Sequence, residues 1–321
     1  MNITVGECAE NRASEALSLL RRSFQKQEAP LQSRAGRGAV LRRLAQDKEW
    51  HKKIEQGQVR LFGIFDGERL IGCCLTEHSH ILHFCLDARY RRGDAAPLLM
   101  DYLRTIYSDL TADVALYDRE LFHDCGFEGE TVTEDRGRKT IPMQSHGREI
   151  THEIWDLRDE LGEPTGRYAS RDQYRSLRSG EYMLAVHIFL YTPDGRFLVQ
   201  KRSEEKDVLP GIWDITGGAA KAGEDGRQAA LRETYEEIGV SLSPDQLHLS
   251  ARLKRKRSFV ELWFAEADVE PQNCILQAGE VDEVKLISPK EMIALIEKAK
   301  HRDAIYKRTA IDAIKKRTAQ R

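Results

Sequence analysis

Between Gly217 and Val240 the chain reads GGAAKAGEDGRQAALRETYEEIGV, a glycine-rich stretch running into a helix expected to begin near Asp225. On that helix Glu233, Glu236 and Glu237 are spaced i, i+3, i+4, so at about 3.6 residues per turn their carboxylates share one face. Like charges that close repel and weaken a bare helix. A divalent cation resolves the conflict, and clustered hard oxygen donors favour Mg2+ or Mn2+, ions that also bind phosphate oxygens. Arg232 precedes the cluster and is placed to pair with Glu224 or Glu233 and fix their orientation. Taken alone, an acidic helix face is most often simply solvated, so the reading depends on what surrounds it.

The elements that must position these residues follow from composition and periodicity. The chain has 321 residues, long enough for two domains. Fifty Lys+Arg against fifty-two Asp+Glu give a net charge of −2, which makes no case for a nucleic-acid binder. The longest apolar run, Tyr182 to Tyr191, is far short of the roughly 20 residues of a membrane span. The start has no signal-peptide pattern. Six scattered cysteines, with no CxxC pair, fit reduced thiols and a cytoplasmic protein. In the first half, helical spacing over Glu10–Gln25 and Ala39–Gln58 precedes strand-like runs at Val59–Phe65, Arg69–Thr76 and Ile81–Leu86. A helix over Ala95–Ser108 and a strand over Ala112–Tyr117 follow, so the order is that of an α/β or α+β sheet domain. The pattern lapses between Thr140 and Arg148, which predicts the boundary between domains 1–145 and 146–321. Beyond it, Ile154–Leu157 reads as a strand, EPTGR as a loop, and Met183–Leu190 and Phe197–Gln200 as further strands. From Pro289 onward the chain reads as helix with a basic, solvated end.

In register, Gly218, Glu224, Arg232-Glu233, Glu236-Glu237 and Gly239 match the Nudix box, Gly-x5-Glu-x7-Arg-Glu-U-x-Glu-Glu-x-Gly-U, where U is a bulky aliphatic. Thr234 stands where an aliphatic is usual. LVQKR at 198–202 and LPGIWD at 209–214 resemble the strand–loop–strand preceding the box in Nudix hydrolases. The resemblance covers about residues 150–300 and implies an α/β/α sandwich with Mg2+-dependent attack of water on a diphosphate. It also implies Glu233, Glu236 and Glu237 as metal ligands, with Arg232 and Glu224 bracing the loop and helix. Glu280 sits where that superfamily often places another carboxylate, as a further ligand or general base. The segment around EIWDLRDELGEPTGR and YMLAVHIFLY resembles the branch that includes type I isopentenyl-diphosphate isomerase. That isomerase needs a Cys-x-His segment after a Trp, and here those positions hold Gly218 and Ala220, which exchange no proton. Hydrolysis is therefore expected and isomerisation is not. The basic run Arg252–Arg257 reads as a charged, solvated sheet edge, and His187 as a core histidine.

Residues 1–145 resemble the GNAT acetyltransferase fold, a mixed sheet with helices. The family's Arg/Gln-x-x-Gly-x-Gly/Ala turn, whose backbone amides hold the acetyl-CoA pyrophosphate, corresponds to Arg92, Gly93, Asp94, Ala95 and Ala96. Tyr90 occupies the Arg/Gln position, and Asp94 sets a negative charge beside the cradle. The tyrosine that often serves as general acid is Phe122 here, with His123 or Tyr117 as substitutes nearby. The fold class is thus two-domain α/β (α+β). The expected cofactors are Mg2+ or Mn2+, with acetyl-CoA at the first domain. The expected partner is a small nucleotide or diphosphate substrate, with homodimerisation left open and neither nucleic acid nor membrane. The competing readings are N-acetyltransfer as the main activity and a nucleotide- or acetyl-CoA-sensing regulator.

Overall fold

In the computed structural model, residues 3–135, 138–146 and 152–319 are described. The chain divides into two compact units, Met1–Leu157 with Pro164–Arg178, and Arg158–Glu163 with Ser179–Arg321. In chain order the first contains β1 (Ile3–Glu7), α1 (Ala13–Ser23), α2 (Arg34–Leu44), α3 (Asp47–Glu55), β2 (Arg60–Asp66), β3 (Arg69–Glu77) and β4 (His80–Leu86). It continues with α4 (Ala95–Ile106), β5 (Asp109–Ala115), α5 (Arg119–Asp124), β6 (Thr133–Asp135), β7 (Arg138–His146), β8 (Ile154–Arg158) and β9 (Pro164–Ser170). The sheet order is β6-β7-β5-β4-β3-β2-β1-β9-β8. β4 and β5 are parallel but share only the pairs His80–Thr111 and Ile81–Ala112 before parting.

The expected boundary falls inside a strand. Ile141, Met143 and Ser145 of β7 are buried and pair with β5, while Pro142 and Gln144 between them face out. The period of two is there, but Pro, Gln and Ser disguise it as a linker. The rest of the expected boundary, from 147 to 148, lies outside the described residues. EPTGR is likewise no loop. It opens β9, and with β8 it extends the first sheet through the pairs Val5–Tyr168 and Gly6–Arg167. The pairing is long-range, so local composition does not report it. The helical pattern over 39–58 breaks into α2 and α3.

The second unit contains β10 (Met183–Tyr191), β11 (Phe197–Arg202), β12 (Trp213–Asp214), β13 (Thr216–Ala219), α6 (Gly226–Ile238), β14 (Leu247–Lys254), β15 (Ser258–Glu266), β16 (Val281–Ile287), α7 (Pro289–Lys298) and α8 (Ala304–Ala319). Its sheet runs β12-β11-β10-β15-β14, with β13 on β10 and β16 on β11. Alternation along β10 sets the layers. Val186, Ile188 and Leu190 pack with Ala229, Ala230 and Ile238 of α6. Phe189 and Tyr191 pack with Met292 and Ile296 of α7 and with Tyr306, Ala310 and Ile314 of α8. The result is an α/β/α sandwich.

The C-terminal helix is therefore not merely a solvated face. Tyr306, Ala310 and Ile314 recur every four residues and are fully buried, while Arg308, Lys315 and Lys316 are exposed and Arg317 lies over the Phe264 ring. β14 is a charged sheet edge, as expected, and its arginines and lysines are paired, Arg252 with Glu261 and Lys254 with Glu160. Among the described residues no helix is long and apolar enough to cross a membrane. Tyr306→Ala should destabilise the protein by about 3 kcal/mol or more in denaturant melts; a change under about 0.5 kcal/mol would mean α8 is peripheral.

Candidate active site

The acidic helix is fixed at both ends. At its start the Asp225 carboxylate accepts from the Gln228 amide at 2.8 Å, and the Gln228 side chain accepts from the Asp225 amide at 2.9 Å. This reciprocal pair satisfies two backbone donors that have no helical partner. At its end Gly239 takes a left-handed turn, φ 71°, against Ile275, where a Cβ would come within 2.7 Å. Thr234, at the usual aliphatic position, is fully buried, and its hydroxyl donates to the Ala230 carbonyl at 2.7 Å. The substitution thus leaves no unsatisfied polar group in the core.

Arg232 organises the charges. Its guanidinium donates to both oxygens of Glu224 (2.7 and 2.8 Å), to Glu233 at 2.8 Å, to Glu236 at 2.9 Å and to the Ala219 carbonyl at 2.9 Å. The fork-shaped contact with Glu224 ties the loop to the helix. Glu233 lies directly against Gly218, where a Cβ would stand 2.3 Å from its Oε1. Burial opposes the Glu224 charge, but Arg232 and the Lys221 amide hold its carboxyl below the usual range. Lys221 reaches Glu236 at 3.2 Å.

Glu237 turns inward and is buried. Its Oε2 accepts from Gln200 Nε2 at 2.8 Å and from the Gly217 amide at 3.2 Å. Burial pushes its carboxyl up to about 7; Gln200 and Gly217 oppose the shift, and the negative charges of Glu233 and Glu280 add to it. Glu280 pairs with the Lys206 ammonium, and its carbonyl accepts from the Ser203 amide at 2.9 Å. Structure thus gathers Glu224, Arg232, Glu233 and Glu236 on one guanidinium and sets Glu237 under the influence of Glu233 and Glu280. Among the described residues no three acidic, imidazole or thiol groups form a ready-made metal cluster. The donor set nevertheless fits a hard divalent ion: these are oxygens only, and the charge crowding Glu237 is what a dication would relieve.

Several residues around the site gave no signal in the sequence. Thr216 donates to Gln200 Oε1 at 2.9 Å. Asp214 accepts from Arg302 at 2.6 Å and lies 3.3 Å from His301, and Arg302 also reaches His187 Nδ1 at 2.9 Å. Burial pushes the Asp214 carboxyl up, but His301 and Arg302 overcome it and hold it well below the usual range. His187 is a core histidine, as expected, with Tyr306 Oη 2.8 Å away. Burial, with Arg302 beside it, drives its pKa far down and keeps it neutral. Only Gln200, a polar residue within an apolar strand, left a trace.

In the first unit the expected cradle forms the start of α4. Gly93 and Asp94 precede it, Ala95 and Ala96 open it, and Arg92 is exposed. A Cβ on Gly93 would meet nothing closer than the Tyr90 carbonyl at 4.0 Å, so the turn is open on that side. Pro97 in the first turn removes one amide donor. Phe122 is buried between Phe84 and Phe127, with ring centroids 5.4 and 5.0 Å away, and has no proton to give. Tyr117 lies under the Arg91 guanidinium at 4.2 Å, and His123 is 3.5 Å from Glu130.

The shift at Glu237 has a sign. A carboxyl whose pKa rises on folding supports the fold fully below its ordinary value of 4.5, and that support is lost as pH climbs through about 7. With metal chelated, stability should fall by up to about 3 kcal/mol across that window, and Glu237→Gln should flatten the profile in pH-resolved denaturant melts. An unchanged slope would show that Glu237 does not titrate as described.

Residues 181–309 match the model of the NUDIX domain family, and residues 22–146 match that of the acetyltransferase (GNAT) domain. "Uncharacterized Nudix hydrolase lin0387" of Listeria innocua is 34% identical over 144 residues, which span 44% of this chain and 84% of that protein. "Uncharacterized Nudix hydrolase YfcD" of Escherichia coli K12 is 37% identical over 130 residues, 39% of this chain and 69% of that one. The solved structure of DR0079 from Deinococcus radiodurans matches 51% of this chain and 98% of its own, with 23% identity and a TM-score of 0.40. With the charged and glycine positions of the box in place around its helix and a relative covered over most of its length, the chain belongs to the Nudix hydrolases, enzymes acting on diphosphate bonds, and it carries a GNAT domain ahead of the hydrolase domain.

Proposed function

We propose that the second unit is a Mg2+- or Mn2+-dependent pyrophosphohydrolase of a nucleoside diphosphate linked to another moiety, or of a related small diphosphate. The observation that carries this reading is the geometry of the acidic helix: Arg232 gathers Glu224, Glu233 and Glu236, and beside them Glu237 is held inward by Gln200 and the Gly217 amide. Glu233, Glu236 and Glu237 would hold the metal, with Glu280 as a further ligand or the proton acceptor. The bound ion would polarise phosphoryl oxygens and lower the pKa of a coordinated water. The chain's own part is positional. Arg232 keeps the carboxylates from splaying, Glu224 locks Arg232 to the loop, and Gln200 with the Gly217 amide orients Glu237. Lys206 must release Glu280 before that carboxylate can take a proton or a metal bond.

Isopentenyl-diphosphate isomerisation does not fit. Position 218 is a glycine and Ala220 a buried methyl, so neither position has a proton to exchange. For the first unit, we propose that the amides at Arg92–Ala96 receive the pyrophosphate of acetyl-CoA. The open face of Gly93 supports this. No acyl-transfer step is assigned, because Phe122 is packed into the core.

Glu236→Gln should cut metal-dependent release of phosphate or nucleotide from a panel of diphosphate compounds at least about a hundredfold, with an unchanged melting temperature in chelator. Full turnover would refute the site. At the first unit, Asp94→Asn should tighten acetyl-CoA binding about threefold in calorimetry by removing a carboxylate beside the cradle; absence of binding by both proteins would eliminate the acetyl-CoA site.

A further inference from the structure

Gln200 and Thr216 stand behind the acidic helix on β11 and β13, both essentially buried, at 1% and 3% exposure. They form a short directed chain. Thr216 Oγ1 donates to Gln200 Oε1, and Gln200 Nε2 donates to Glu237 Oε2. An amide side chain has one accepting and one donating end, so its orientation is set by what each end meets. A carboxylate can only accept when ionised, so it calls for the NH2 end. The carbonyl end then needs a donor, and the Thr216 hydroxyl provides one. The Gly217 amide, one residue from Thr216, addresses the same Oε2. Two donors therefore converge on one oxygen of Glu237, and no hydrogen bond from a described residue reaches its Oε1.

This asymmetry has a consequence for metal choice. Mg2+ is small, demands near-octahedral geometry and takes carboxylates through single oxygens. Ca2+ is larger, tolerates higher coordination and often takes both oxygens of one carboxylate. A carboxylate with one oxygen tied by two N–H groups is restricted to bonding through the other.

We propose that Gln200, oriented by Thr216, is a positioning residue that restricts Glu237 to single-oxygen ligation and thereby selects Mg2+ or Mn2+ over Ca2+. The inference rests on the metal-dependent reading of the site, and the test separates the two.

The experiment is calorimetric titration of the full-length protein with Mn2+, Mg2+ and Ca2+, each alone, without substrate. Thr216→Val keeps the shape of the side chain and deletes only the hydroxyl; Gln200→Met keeps its length and deletes both polar ends. In each variant the preference for Mn2+ and Mg2+ over Ca2+ should shrink about tenfold, the usual effect of losing a partner behind a metal ligand. Thr216→Ser should restore it. Thermal melts in chelator check that the variants are folded. If the wild-type protein binds none of the three ions, the metal-dependent reading itself fails. If it binds them, but the variants keep the wild-type ratio or lose all three ions equally, that reading stands and the selectivity role is overturned.

Discussion

The second unit depends on a single guanidinium. Three glutamates on one helix face, with a fourth on the preceding loop, make an arrangement that Coulomb repulsion would pull apart. Arg232 counters it by bonding to Glu224, Glu233, Glu236 and a loop carbonyl at once. Because Arg keeps its charge at any relevant pH and presents donors in a fixed fork, it can set direction as well as offset charge. A lysine in its place would supply the charge without the geometry. The Glu233 carboxylate that Arg232 holds lies directly over Gly218 of β13.

Repulsion is managed differently one residue further along the helix. Glu237 points into the sandwich and meets neutral donors instead of a cation. Burial raises its carboxyl against those donors, whereas Glu224, bonded to Arg232, is lowered. Two members of one motif thus have opposite electrostatic characters because one faces an arginine and the other faces the sheet. Behind them, the other side of the sheet carries a second polar network of Asp214, Arg302, His301, His187 and Tyr306. There burial and pairing act together: an ionised aspartate and a neutral histidine share one arginine. The C-terminal helices therefore contribute charge to the strands beneath the site as well as apolar cover.

The first unit follows a different logic. Its helix α4 begins with amides that have no partner within the helix and are directed away from the helix body, which suits an anionic group. The side chains nearby do not add a proton donor to that geometry. Phe84, Phe122 and Phe127 interlock as an apolar cluster, and Tyr117 is covered by Arg91. The turn ahead of α4 is open at Gly93, and position 122 carries a buried phenylalanine with no proton to give.

What the sequence determined by itself was everything governed by local spacing. Arg232, Glu233, Glu236 and Glu237 lie within six residues of one another on one helix, so helix periodicity places them, and Glu224 stands just ahead of it. The strands at 183–190 and 197–200 and the helix from Ala95 were legible for the same reason. The segments from 140 to 170 were not. β7 hides its alternation behind Pro142 and Gln144, and β9 is a strand only because β1, some 160 residues earlier in the chain, pairs with it. The partners that give the site its character, Gln200, Thr216, Asp214 and Arg302, likewise come from four separate elements. Sheet pairing and helix packing decided those contacts, because hydrogen bonds between distant segments depend on register and layer order, which no window of neighbouring residues encodes.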